Sequence, residues 1–371
     1  MAVADHLERM ELAASRLKRG ARKGRGAVSN RAGRYECLGV EACDDGWGSL
    51  DKPLDKLRTT IQPDVSRTII TRNESPDLGF DRSINTYRGC EHGCAYCFAR
   101  PTHAYLGLSP GQDFETKIFA KHLAPAQLRQ ELARPGYRPR MIALGTNTDP
   151  YQPAERQLEI TRGILQVLSE FNHPVGIVTK SSLIMRDIDI LSDMAERDLV
   201  KVVLSVTSLD RHLARRLEPR AATPAKRLDA IRALSTAGIP TGINFAPVIP
   251  ALNDTELEMV LEAAAEAGAS EAAYILLRLP LEIVDLFKEW LLLHAPGRAR
   301  HVMSRMRDMH AGHHYRSGFG LRQTGSGPSA ELLAARFRLA KKKYGLNSPA
   351  ARLDSSRFCP PPMPGDQLFF I

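Results

Sequence analysis

The feature that most constrains this chain is an alternation. Short apolar runs at residues 141–144, 175–178, 202–206, 243–248 and 273–277 alternate with longer stretches of helical period. Runs this short and this largely apolar suit parallel strands covered on both faces, because parallel neighbours need a crossover and the crossover is usually a helix. Counting residues 84–89 as the first strand gives six βα units by about residue 294. Six units are too few for a complete eight-stranded barrel and enough for an open one. The expected fold is therefore α/β, a partial (βα)6 parallel barrel with N- and C-terminal extensions.

Local signals agree. Leu158, Thr161, Ile164, Leu165, Leu168 and Phe171 recur at helical spacing, and Ile188, Leu191, Met194 and Ala195 form a shorter stripe. Thr223-Pro224 is a cap followed by a first-turn proline, with Gly238 as the stop. Thr255 and Glu258 have capping-box spacing, and Gly268 suits that helix's end.

The chain has 371 residues, 43% hydrophobic and 25% charged, with six cysteines. These values exclude collagen-like, wholly disordered and disulfide-framework classes and allow one large domain or two ordinary ones. Asp5, Glu8 and Glu11 interrupt the start of the chain, which reads as neither a secretory signal nor a transit peptide. The most apolar window, 272–294, contains Arg278, Pro280, Glu282, Asp285, Lys288 and Glu289, so no membrane span is expected. The expected location is cytoplasmic, where a cysteine cluster reads as metal-binding or catalytic.

The net charge of +9 is uneven. Residues 16–34 hold eight basic side chains and no acidic one, and residues 298–343 hold eleven basic against Asp308 and Glu331. The stretch between them, 35–297, is mildly acidic. Such flanks suit a polyanion, whose counterions they release, or a plain solvated arm. The expected organisation is a basic, disordered arm at 1–35, an N-terminal extension at 36–83, the barrel core at 84–297 and a basic C-terminal extension at 298–371.

The chemistry concentrates in Cys90, Cys94 and Cys97, spaced C-x3-C-x2-C directly after the first strand, with Gly89 and Gly93 to turn the backbone. Structural zinc takes four ligands, which would require His92, His103 or a distant cysteine as the fourth. Three thiolates on a 4Fe–4S cluster would instead leave one iron open, as a reactive site needs.

With Tyr96 before the last cysteine, this pattern resembles the radical S-adenosylmethionine superfamily. The run 145–153, Gly-Thr-Asn-Thr-Asp-Pro-Tyr-Gln-Pro, resembles its spore photolyase-like branch. The resemblance covers roughly residues 80–295. It implies an enzyme in which Cys90, Cys94 and Cys97 bind a 4Fe–4S cluster. The cluster would cleave S-adenosylmethionine reductively to a 5′-deoxyadenosyl radical that abstracts hydrogen from a substrate. It implies that Tyr96 neighbours the adenine and that Thr146, Asn147, Thr148 and Asp149 receive the cofactor's amino group. Lys180 and Ser205 match positions that meet its carboxylate. The Gly-Gly-Glu common at the amino-binding loop is missing, as is the hydrogen-donating cysteine that spore photolyase carries there.

An external one-electron reductant of flavodoxin or ferredoxin type is the implied partner. The substrate stays open between a nucleic acid, held by the basic flanks, and a small molecule or peptide. A different class, a non-catalytic zinc- or cluster-stabilised nucleic-acid-binding protein, would use the same cysteines. Asn244 could face the site, as could one of Arg215, Arg216 and Arg220. The roles of Cys37, Cys43 and Cys359 are unassigned, and 317–328 suits a cover over the barrel mouth or a linker.

Overall fold

The computed structural model describes residues 17–18, 20–36, 46–47, 56–348 and 352–361. In chain order the strands are β1 (Thr60–Pro63), β2 (Thr71–Arg72), β3 (Arg82–Ile84), β4 (Tyr87–Arg88), β5 (Lys117–Ala120), β6 (Ile142–Leu144), β7 (Val175–Thr179), β8 (Val200–Ser205), β9 (Thr241–Val248) and β10 (Glu271–Leu276). Seven of them form one sheet in the order β10-β9-β8-β7-β6-β3-β2. From β3 to β10 every neighbour is parallel, and β2 adds an antiparallel edge. No pairing among the described residues joins β10 to β2, so the six-unit barrel is open.

The two faces of the sheet differ as alternation requires. Ile84, Leu144, Ile177 and Val202 share one register row and sit in the large buried core with the helices. Leu165, Leu168, Leu191 and Met194, from the stripes read in the sequence, fill the same core. The opposite, concave face carries Val178, Val203, Ser205, Asn244 and Ala273, which neighbour one another in register. Of these, Val178, Val203 and Asn244 are half-buried and Ala273 is exposed.

Capping follows the sequence at one helix and departs from it at another. Thr223 accepts from the Lys226 N–H at 3.4 Å, and Gly238 and Gly268 take positive φ after their helices. The capping box at Thr255 and Glu258 does not form. The Glu258 carboxylate is gripped by both ends of the Arg336 fork at 2.9 and 2.6 Å, a charge-assisted bidentate contact stronger than a neutral cap bond.

The expected first strand is two pieces. β3 ends at Ile84, whereas Tyr87–Arg88 join a second, three-stranded sheet of order β1-β5-β4. The chain leaves the main sheet because the Asn85 carboxamide serves the Asn147 N–H at 3.1 Å and the Thr86 carbonyl serves Lys121 at 3.1 Å. This small sheet, built partly from an insert between β3 and β6, carries the cysteines.

Residues 25–28 are not a solvated arm. Ala27 and Val28 are 3% and 2% exposed, and Gly26 lies so close to the cysteine loop that a Cβ there would stand 1.6 Å from the Gly93 carbonyl oxygen. Residues 1–16 of the expected arm lie outside the described residues. At the other end of the chain, Tyr274 of β10 packs on Phe337 with ring centroids 4.8 Å apart.

The segment after helix Pro296–Met309 spans the open side of the barrel. The Gln323 carbonyl accepts from Leu276 of β10 at 2.7 Å. Asp77, in the β2–β3 turn, accepts from the Gly320 N–H at 2.6 Å and from Arg322 Nε at 2.6 Å. This strap therefore bonds to both edges of the sheet.

Candidate active site

The site begins with a tight loop. Gly89 and Gly93 both have positive φ, and a Cβ on Gly89 would lie 2.9 Å from the Phe114 carbonyl oxygen. Only glycine meets both demands without strain. Cys90 N–H donates to the Phe114 carbonyl at 2.9 Å, Ala95 N–H to that of Leu217 at 2.8 Å, and Cys97 N–H to that of Cys94 at 3.2 Å.

Beneath the loop, Arg100 and Glu115 form a salt bridge at 2.5 Å with both side chains 0% exposed. Arg100 also donates to the Cys94 carbonyl through Nε and Nη2 at 2.9 and 2.8 Å, and to the Pro110 and Gly111 carbonyls. Glu115 in turn accepts from the Gly26 and Ala27 N–H groups at 3.0 and 2.7 Å. One buried ion pair thus fastens the N-terminal segment to the cysteine loop.

Cys90 and Cys94 are buried and Cys97 is partly so, all as free thiols. Burial pushes each thiol up; Asp149 and the other two sulfurs add to this at Cys90, and Glu218 at Cys94, while Lys180 pulls Cys94 and Cys97 down. Three clustered sulfurs that resist ionisation alone ionise readily on a cation, as thiolate ligands do. Among the described residues no three His, Cys, Asp or Glu side chains converge closely enough for a single metal ion. Three cysteines on one loop are one short of the four ligands that structural zinc takes and match a 4Fe–4S cluster with one iron left open.

The loop after β6 crosses the end of β7 at Gly145, where a Cβ would meet the Val178 carbonyl oxygen at 2.0 Å. Within it Thr148 donates to the Tyr87 carbonyl at 2.9 Å. The Asp149 carboxylate accepts from Thr179 Oγ1 at 2.7 Å, the Lys180 N–H at 2.8 Å and the Tyr151 N–H at 2.9 Å, with His92 Nδ1 3.4 Å away. Burial opposes ionisation of Asp149, but the His92 charge and these hydrogen bonds outweigh it and hold the carboxyl at about 2. Thr148 and Asp149 are thus committed to the scaffold, whereas Thr146 and Asn147 are half-buried at the rim.

Lys180, whose backbone Asp149 fixes, lies with Nζ 5.9 Å from the Tyr96 ring centroid. The Tyr96 hydroxyl donates to Glu218, which also accepts from Thr207 Oγ1 at 2.5 Å and pairs with Arg227. Arg227 donates to the Ser205 carbonyl at 2.9 Å. Burial would raise the Glu218 carboxyl, yet Arg227 and Lys180 prevail and lower it. Asn244 neighbours Ser205 in register, and its Oδ1 is buried with no hydrogen-bond partner. An orphaned acceptor on the concave face suits a site that takes a ligand.

Most of the residues singled out in the sequence come together. Cys90, Cys94, Cys97, Tyr96, Asp149 and Lys180 are linked by contacts or electrostatic coupling. Arg220 pairs with Glu91 at 3.0 Å, and Arg216 donates to the His294 carbonyl at 3.4 Å. Cys359 lies elsewhere: it is exposed and its N–H bonds to Phe171 at 3.0 Å, ahead of the start of β7. Cys37 and Cys43 lie outside the described residues. Glu218, Arg227, Glu115 and Arg100 were not read from the sequence, since no local spacing marks them.

An open parallel βα barrel with three cysteines on the loop after its first strand defines a class. The radical SAM superfamily model matches residues 84–264, and the chain belongs to that superfamily. An uncharacterised protein of Mycobacterium tuberculosis strain H37Rv is 39% identical over 235 residues, 63% of this chain and 68% of its own length. An uncharacterised Methanocaldococcus jannaschii protein is 28% identical over 173 residues, 47% of this chain and 62% of its own.

Among solved structures, a cysteine-to-serine mutant of spore photoproduct lyase aligns with a TM-score of 0.56 at 16% identity, covering 84% of this chain and 86% of that one. The same lyase complexed with dinucleoside spore photoproduct aligns with a TM-score of 0.55 at 16% identity, covering 76% and 79%. At that identity the likeness establishes the fold. The chain is an enzyme of a superfamily that uses a 4Fe–4S cluster and S-adenosylmethionine and draws its electron from an external reductant. Among the described residues no helix is long and apolar enough to cross a membrane.

Proposed function

We propose that Cys90, Cys94 and Cys97 hold the 4Fe–4S cluster and that the substrate is a nucleic acid. The observation that carries the first part is three thiols, two buried and one partly so, on one glycine-turned loop, with Lys180 electrostatically coupled to two of them. The cluster and S-adenosylmethionine, when bound, supply a 5′-deoxyadenosyl radical for hydrogen abstraction.

The chain's own residues bind and orient. Lys180, positioned by Asp149, offers a cation to the methionine carboxylate, with Ser205 on the neighbouring strand. Thr146 and Asn147 form the accessible end of the loop that receives the amino group. Tyr96, held by Glu218 and Thr207, would neighbour the adenine and keep water from that wall. A flavodoxin- or ferredoxin-type protein supplies the electron. The nucleic-acid assignment is supported by the basic stretch 298–343 and by the dinucleoside complex of the structurally similar lyase.

The test is anaerobic reconstitution with iron and sulfide, then dithionite and S-adenosylmethionine, with 5′-deoxyadenosine measured by chromatography. Wild type should form it and Cys94→Ala should not. An intact cluster with bound S-adenosylmethionine and no product would refute the cofactor assignment. For the substrate, binding that weakens steeply with salt is expected; salt-independent turnover of a small neutral molecule would refute a nucleic acid.

A further inference from the structure

One cavity is unused by this chemistry. A cleft of about 490 Å³ lies where the loop after β9 meets helices Pro296–Met309 and Pro328–Lys343. Its volume is within the range of small-ligand sites. Val248, Met309 and Leu333 line it as buried apolar groups.

Arg298, His301 and Arg305 stand on one side of the cleft at helical spacing, so they share a helix face. Among the described residues Arg298 and Arg305 form no salt bridge. Arg298 donates to the Ala251 carbonyl at 3.0 Å, and Arg305 donates to Ser329 Oγ at 3.3 Å, so neither charge is neutralised. Arg336 also lines the cleft, but its charge is spent on Glu258. Asp254, at the start of the helix that follows the β9 loop, carries an Oδ1 that is buried and accepts no hydrogen bond.

Two unneutralised guanidinium groups call for an anion, the apolar lining for a flat hydrophobic body, and the carboxylate oxygen for an N–H donor. A nucleotide has all three: a phosphate, a base face and base-edge amino or imino groups. An acidic peptide offers the anion and N–H donors, but not the flat body with donors along its edge that the apolar lining and Asp254 together suit. The cleft is also tied to the active site. Asn253, in the same loop, donates to the Thr207 carbonyl at 2.6 Å, and the Thr207 hydroxyl bonds Glu218 and Tyr96.

We propose that this cleft binds one nucleotide of a nucleic-acid strand, flanking the nucleotide presented to the active site. Its phosphate lies between Arg298 and Arg305, its base on the apolar lining and the base edge toward Asp254. This rests on the nucleic-acid substrate assigned above.

The test is fluorescence anisotropy of the reconstituted full chain with a short labelled single-stranded DNA, across a salt series. The Arg298→Ala/Arg305→Ala double variant should bind at least ~10-fold more weakly and lose about 0.7 units of the salt slope, the single-strand value for the one phosphate that the two arginines share. Arg300→Ala/Arg307→Ala, on the same helix but outside the cleft, should lose less affinity. Asp254→Asn should alter the preference among homopolymer strands. Unchanged production of 5′-deoxyadenosine without substrate shows that each variant is folded.

If the cleft double variant binds DNA as wild type does, the cleft proposal is overturned while the nucleic-acid assignment stands. If wild type forms 5′-deoxyadenosine but binds no oligonucleotide, both are overturned. Tight, Arg298-dependent binding of a free nucleoside monophosphate with no strand binding would overturn the strand form in favour of a free nucleotide.

Discussion

The Arg100–Glu115 pair gives the sharpest stability prediction. Both side chains are fully buried, and the two oxygens of Glu115 serve three donors: the Gly26 and Ala27 N–H groups and Arg100 Nη2. In Glu115→Gln one oxygen becomes an NH2 group, so at least one donor faces another donor and the Arg100 charge loses its counter-ion. Breaking one partner of a buried pair costs about 3–5 kcal/mol, and a stranded buried N–H adds about 1–3 kcal/mol. Against a domain stability of about 5–15 kcal/mol, the variant should be marginal. Urea unfolding of the full chain, followed by circular dichroism, measures the loss. The double variant Arg100→Met/Glu115→Leu removes both charges and should be less destabilised than the sum of the single changes. A Glu115→Gln loss below about 1 kcal/mol, or strict additivity in the double variant, would refute the anchor role.

Three further outcomes are expected. Gly26→Ala drives a Cβ into the Gly93 carbonyl, so the N-terminal segment should lift and trypsin should cut at Arg25 far faster than in wild type; equal cleavage rates would contradict the contact. Asp149 is held at about 2, below its ordinary 3.8, so it stabilises the fold above about pH 4 and that contribution is lost as pH falls toward 2. The stability gap between wild type and Asp149→Asn should therefore shrink by about 2 kcal/mol over that window, and a gap that stays flat with pH argues against a clamped carboxylate. Asp77→Ala removes the acceptor for Gly320 and Arg322, so hydrogen exchange at 318–324 should accelerate while that of β7 and β8 does not change. Uniform exchange in both regions would contradict a locally latched strap.

The barrel was legible because its signal is local and repeated. Most strands of the barrel centre on a short, largely apolar run, and runs such as 175–178 and 243–248, the latter broken only by Asn244 and Pro247, stand out in a chain this polar. The cysteine loop was legible because its ligand spacing is short-range. What escaped depends on distance along the chain. Glu115 reads as one polar residue among several, and only the fold brings it to Gly26 and Arg100. Glu218 and Arg227 are separated by a turn and a helix start, and their link to Tyr96 spans more than a hundred residues. The basic stretch 16–34 misled because its glycines and arginines match a solvated tail, yet Gly26 is there for close approach and Arg25 donates to the Glu115 carbonyl at 2.9 Å. The break in the first strand was hidden for a related reason: Tyr87 has strand propensity, and nothing local says which sheet it joins.

The strap has a consequence for how the barrel is closed. A ring of strands closed by a continuous ladder of hydrogen bonds has no loose edge. Here the circuit from β10 to the β2–β3 turn is completed by Leu276–Gln323 on one side and Asp77 with Gly320 and Arg322 on the other. None of these contacts belongs to a strand pairing. The enclosure is therefore completed by a handful of hydrogen bonds rather than by a ladder, and its closure is set by Asp77 and Gln323, not by the sheet.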